Sequence, residues 1–300
     1  MHSQQSKQGV LYGIIAYVLW GLLPIYWKSV QTVPSFEILC HRTVWSFLFL
    51  LILLCIRKNW SWLKILREDA KTRWTFLATS LLLGCNWLTY IWAVNHGFIV
   101  ESSLGYFINP IVNVLLGVLV LKENLRKWQW SAVILAALGV LYLTFVYGKL
   151  PWIALTLALS FGFYGLLRKT ARLGSMDGLS LETFVLFIPF VFYLIWIALH
   201  GKGQFGQGSL QLSILLIGTG IATALPLLSF ASAARRIRFS TVGLLQYIAP
   251  TLQFSIGVLI YKEAFTKPRL IGFVLIWAAL IIYTVDSLKT AQSKDKSDDT

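Results

Sequence analysis

Of 300 residues, 57% are apolar and only 13% charged, with a mean hydropathy of +0.71, whereas about 25% of the residues of a soluble domain carry charge. A bilayer core about 30 Å thick takes roughly 20 apolar residues per spanning helix, so ten spans would use about 200 positions and exclude a lone anchor on a large soluble domain. Lys and Arg exceed Asp and Glu by 26 to 12, giving +14, an excess that informs only through its placement.

Apolar runs broken by charge or turn residues predict helices near 9–27, 35–56, 74–95, 102–121 and 128–146, then near 151–167, 178–199, 212–233, 240–260 and 270–287. The first has one preceding Lys and no small-x-small cleavage site before Lys28, so it is expected to remain as a helix. With the amino terminus inside, nineteen basic residues fall on inner segments and six on outer ones. The positive-inside rule then places both termini in the cytoplasm. Trp27, Trp60, Trp62, Trp74, Trp128, Trp130, Trp152 and Trp196 fall near predicted ends, where an amphipathic ring prefers the headgroup boundary.

The basic segment 57–73 reads as a cytoplasmic loop facing anionic lipid, and a nucleic-acid partner is not expected. Residues 200–211, HGKGQFGQGSLQ, lack the GK[ST] ending of a phosphate loop and are expected to form a flexible outer connection. The tail 291–300 is polar, charged and expected to be disordered. Cys40, Cys55 and Cys85 lie in apolar stretches without metal or disulfide spacing and are expected as small core residues.

The segment LGYFINPIVNVLLGVLVLKENL, 104–125, aligns without a gap on LLQYIAPTLQFSIGVLIYKEAF, 244–265, with eight identities in 22 positions that include Pro110/Pro250, Gly117/Gly257, Lys122/Lys262 and Glu123/Glu263. A weaker match sets Gly21 and Lys28 on Gly162 and Lys169. The chain thus divides into two five-helix halves, 1–146 and 147–290. Five is odd, so the halves enter the membrane from opposite sides. Such an inverted pair can expose one central site alternately to either compartment, the geometry of a carrier.

Pro110 and Pro250 sit mid-span at equivalent places, as a shared hinge or as tolerated membrane prolines. Asn86, Tyr90, Asn109, Asn113, Gln246 and Gln253 are polar groups within spans, each needing an interhelical partner or a wet cavity. Trp87, Tyr90, Tyr106 and Tyr164, together with Trp20, make a set of rings with few polar tips that suits an amphipathic or aromatic solute. Arg42 lies about 10 Å into the second span at 1.5 Å per residue and requires water or an acceptor. Glu37 shares a helix face with His41 rather than with Arg42 and reads also as an interfacial carboxylate favoured by the helix dipole. Glu37 and Arg42 are candidates for coupling or gating, and protons for the coupled ion. Glu101 and Glu182 begin predicted helices, so the acids make no evident relay. No catalytic motif or metal cluster is present in the sequence, and neither an enzyme nor a cofactor is expected.

Five stretches in order, QGVLYGIIAYVLWGLLPIYWK (8–28), EILCHRTVWSF (37–47), NWLTYIWAVNHGFIVESSLGYFINP (86–110), LSFGFYGLLRK (159–169) and PLLSFASAARRIRFSTVGLLQYIAPT (226–251), resemble the drug/metabolite transporter superfamily. Within it the likeness is to the EamA group and its bacterial RarD family, named after chloramphenicol sensitivity. The resemblance covers nearly the whole chain up to the tail. It implies an all-α integral membrane protein of ten transmembrane helices in two inverted EamA repeats, set in a bacterial plasma membrane. A central cavity lined chiefly by helices 1, 3, 4, 6, 8 and 9, and movement of small organic solutes, often outward, are implied with it. Trp20, Asn86, Tyr90, Tyr106, Asn109, Tyr164 and Gln246 lie on those helices. A receptor or scaffold without transport, and a passive channel, are the alternative readings.

Overall fold

The computed structural model describes residues 2–58, 60, 69–122, 125–148, 150–173, 175–207, 209–234, 236 and 245–298. Among them are ten α-helices: α1 (His2–Ser29), α2 (Ser35–Arg57), α3 (Ala70–Asn95), α4 (Ile99–Leu121), α5 (Lys127–Tyr147), α6 (Trp152–Thr170), α7 (Ser175–Leu199), α8 (Leu210–Ala234), α9 (Ile248–Ser255) and α10 (Lys267–Asp298). A π-helical turn, Ile256–Ile260, continues α9. There is no strand among the described residues, as expected where lipid offers no partner to an open backbone. Eight helices, α1–α5, α7, α8 and α10, are long and apolar enough to cross a bilayer, while α6 and α9 with its π turn are apolar but shorter. The apolar run of α6 stops at Arg168 and Lys169. The residues just before α9 lie largely outside the described set.

The two halves do not form separate bundles. The main pairings cross between them: α1 packs on α8 and α9, α2 on α7 and α8, α3 on α6 and α7, α4 on α6 and α9, and α5 on α10. Exchanging each helix for the one five places along returns the same set of pairs, which is what a two-fold relation between the halves requires. Side chains obey it as well. A Cβ on Gly21 would come within 2.7 Å of Leu252 Cβ, and one on Gly162 within 2.7 Å of Val112 Cγ1. These two close approaches, α1 on α9 and α6 on α4, are one contact made twice. Small residues let backbones meet this closely where lipid provides no hydrophobic drive between helices. Phe47 and its counterpart Phe187 face each other with ring centroids 4.8 Å apart, so the relating axis passes between α2 and α7. Lys122 and Lys262 both follow the repeated helix in the left-handed conformation, at φ 55° and 54°.

Several local expectations need correction. The polar tail continues α10 as far as Asp298, since no Gly or Pro interrupts residues 287–298 and Lys, Ala and Gln are good helix formers. Cys40 is buried, but Cys55 and Cys85 are exposed on the apolar exterior, which also presents side chains such as Phe145 and Leu199. Trp60, Trp74, Trp128, Trp130, Trp152 and Trp196 are exposed, whereas Trp27 is 0% exposed and belongs to the interior; Trp62 lies outside the described residues. The connection after α7, expected to be flexible, is pinned: Gln204 N–H donates to Glu37 Oε1 at 2.7 Å, and Phe205 packs 5.1 Å from the His41 ring. Its bends use Gly201 and Gly206 at φ 66° and 75°, a region that costs glycine nothing.

Candidate functional site

Residues three apart on a helix share a face, so α3 presents Trp87 and Tyr90 together and α4 presents Tyr106 and Asn109. The Tyr90 and Tyr106 rings meet edge to face at 5.6 Å. Arg42 enters this group from α2. Its guanidinium carbon stands 4.0 Å from the centre of the Trp87 ring and 5.1 Å from that of Trp27 on α1. Its Nε donates to Thr223 Oγ1 on α8 at 2.8 Å. Arg42 is 4% exposed, its Nη1 has no hydrogen-bond partner, and neither the Tyr90 hydroxyl nor Asn109 Oδ1 has one. Tyr106 and Tyr90 are both close enough to act electrostatically on the guanidinium. No ion pair involves Arg42 among the described residues.

A second charged group lies at the repeat-related place. Glu182, on α7, is 0% exposed. Its Oε1 is 3.7 Å from Arg168 Nε, and its Oε2 accepts from the Tyr164 hydroxyl at 3.2 Å. Arg168 in turn lies over Phe76 at 5.2 Å. Glu182 is therefore not a helix-start carboxylate but the centre of a neutralised cluster.

The other candidates disperse. Asn86 Nδ2 donates to Leu157 O at 3.0 Å and Ser160 Oγ at 2.9 Å, so it ties α3 to α6, the interhelical role open to it from the sequence. Trp20 packs on Tyr17 and Phe230, with centroids at 5.3 and 5.7 Å, and its carbonyl accepts from Gln253 Nε2 at 3.1 Å. Gln246 is half-buried in the turn before α9. Glu37, 1% exposed, holds the connection after α7 through Gln204 N–H and sits 3.9 Å from His41, on the face expected of it. Pro110 lies inside the continuous helix α4, but Pro250 is in the first turn of α9, where its missing donor removes no helical bond. Pro24, Pro189 and Pro226 also lie within helices, so position in a span does not single out the repeated pair.

Trp27 and Thr223 are parts of the site that the sequence does not signal, since a tryptophan near a span end reads as a lipid-boundary residue. One signal could have led to the charged clusters: Arg42 and Glu182 are 140 residues apart, the spacing of the repeat.

These features define a multipass, all-helical membrane protein built from two related halves with a buried cation among rings. A crystal structure of 18% sequence identity superposes with a TM-score of 0.59, covering 95% of this chain and 99% of that one, and has the same fold. The chain belongs to the EamA-like transporter family, whose model matches it twice, over residues 7–145 and 150–285. Among its relatives are an "Uncharacterized transporter" of Vibrio cholerae, 46% identical over 97% of this chain and 96% of that protein, and Protein RarD of Escherichia coli K12, 44% identical over 99% and 100%. The Chloramphenicol-sensitive protein RarD of Pseudomonas aeruginosa is 30% identical over 95% and 96%. This chain is a RarD-type member of the family and a membrane transporter.

Proposed function

We propose that the protein carries small aromatic or amphipathic organic solutes across a bacterial inner membrane by alternating access, as an exporter or exchanger. All ten helices cross in this reading, both termini are cytoplasmic, and the residues facing the solute are Trp87, Tyr90, Tyr106 and Asn109. The observation that carries it is the two-fold set of helix pairs: every main pairing except α2 with α7, α4 with α9 and α5 with α10 has a distinct twin in the other half. A packing that can be made twice can trade shapes between its halves, opening one buried site first to one side and then to the other.

Two measurements test it. Metabolite profiling of medium from cells lacking or overproducing the protein should show an extracellular solute that rises with expression. In proteoliposomes that solute should show saturable flux and counterflow, both reduced by Tyr106→Ala or Asn109→Ala. Flux without saturation would replace the carrier by a channel. No change in any medium component or in drug tolerance, together with no flux, would leave a scaffold.

A further inference from the structure

We propose that Arg42 is the anchor for an anionic group on the transported solute, so that the substrates are aromatic or amphipathic organic anions, carboxylates foremost. The inference rests on the carrier reading and narrows it.

An arginine side chain has five N–H donors and stays charged at any accessible pH. Burying it at membrane depth is costly unless charge and donors are met. Here one donor meets Thr223 and two indole faces supply cation–π contact, but Nη1 is left without a partner. The fold can neutralise such a charge, as Arg168 and Glu182 show in the repeat-related place. At Arg42 no described carboxylate fills that role. The Tyr90 hydroxyl, an unpartnered donor 3% exposed in the same group, adds a second point of attachment. A planar carboxylate bound to the guanidinium satisfies its unused donors, and a ring attached to it would lie among Trp87, Tyr90 and Tyr106. A cation would be repelled, and a neutral amide would leave the charge unmatched.

Three probes with the same ring separate these cases: phenylacetate, phenylacetamide and phenethylamine, each added at millimolar concentration to the purified full-length protein in detergent at neutral pH. A ligand that binds only the folded form raises the melting midpoint with its concentration. Phenylacetate should raise it by several degrees while the amide and the amine leave it unchanged. Arg42→Met should abolish the response, Arg42→Lys should keep a reduced one because the ammonium lacks the planar fork, and removal of the exposed outer cation in Lys202→Met should keep it whole. A hydrogen bond to a charged group sets the expected loss of affinity in Arg42→Met at about tenfold or more. Should Arg42→Met fail to fold, the Lys variant and the three wild-type arms still decide. An amide as effective as the acid, an acid without effect, or an equal shift in Arg42→Met overturns the assignment. Saturable flux without any phenylacetate response would discard the anion site and keep the carrier. A phenylacetate response in a protein without flux would do the reverse.

Discussion

Around Arg42 and around Glu182 one backbone is built twice. Thr43 Oγ1 donates to Leu39 O and Thr183 Oγ1 to Leu179 O, each at 2.9 Å, and 140 residues separate every atom in one pair from its twin in the other. Each charged side chain lies one position before its threonine, and Arg42 reaches a threonine of the opposite half, Thr223. What differs is the neutralisation. Glu182 has Arg168 and a tyrosine hydroxyl, whereas Arg42 has two indole rings and a donor to spare. Duplication therefore copied the scaffold, and the chemistry diverged within it, so that one end stores a balanced pair and the other holds a charge open.

The largest effect expected from this contrast is on stability. Glu182→Gln strips Arg168 of its buried carboxylate and should cost about 3–5 kcal/mol, seen as a steep fall in the detergent melting midpoint. The double variant Glu182→Gln with Arg168→Met should recover most of that loss, since removing both charges removes the mismatch. Arg42→Met deletes a charge that no carboxylate among the described residues balances and should melt within about 1 kcal/mol of the parent, or above it. If Arg42→Met instead melts as low as Glu182→Gln, Arg42 is a keystone of the packing and the two ends are alike.

Spans and duplication were legible because they rest on properties of single segments. Apolar length identifies a helix that lipid will accept, and the shared Gly, Lys and Glu positions exposed the repeat, down to the glycine pair at 21 and 162 that makes twin contacts. Helix neighbours were not legible, since in lipid the pairing depends on shape and close packing rather than on how apolar each helix is. Two separate halves are as compatible with the hydropathy as the interleaved set observed. The same gap explains Trp27, whose place near a span end says nothing of the helix beside it, and Asn86, whose acceptors on α6 lie 71 and 74 residues away. The depth of Arg42 is legible in the sequence, but that no carboxylate among the described residues matches it is seen only in the packing.

Alanine at the paired glycines sharpens the comparison from the scaffold side. Gly21→Ala and Gly162→Ala each place a methyl 2.7 Å from a packed carbon and should each cost about 1–3 kcal/mol by overpacking. The rescues should differ. At Gly162 the obstacle is Val112 Cγ1, which Val112→Ala removes. At Gly21 it includes Leu252 Cβ, which survives Leu252→Ala. Melting of the two double variants reads this directly, and equal recovery would show that the helices shift apart rather than the side chains giving way.

The smallest effect separates two carboxylates that both accept backbone N–H groups at helix starts. Asp69 accepts from Lys71 N at 3.0 Å and from Thr72 Oγ1 at 2.7 Å, with Arg172 at 3.1 Å, and the Thr72 hydrogen bond is the main cause holding it below its usual value. Glu263 accepts from Ile99 and Val100 N–H at 2.7 and 2.8 Å, yet burial outweighs these bonds and raises it above its usual value. The signs are opposite. A depressed acid adds stability that is present above its unfolded pKa and is lost as pH falls through the folded one; a raised acid adds stability that is present below its unfolded pKa and is lost as pH rises through the folded one. Melting followed from acid to neutral pH should therefore change in opposite ways on substitution: Asp69→Asn should flatten the loss on the acid side, and Glu263→Gln the loss that sets in above the ordinary glutamate range. Asp69 is solvated and screened, so its share should shrink further in high salt, while that of the half-buried Glu263 should shrink less. If the two respond alike to pH and salt, backbone hydrogen bonding rather than burial governs both.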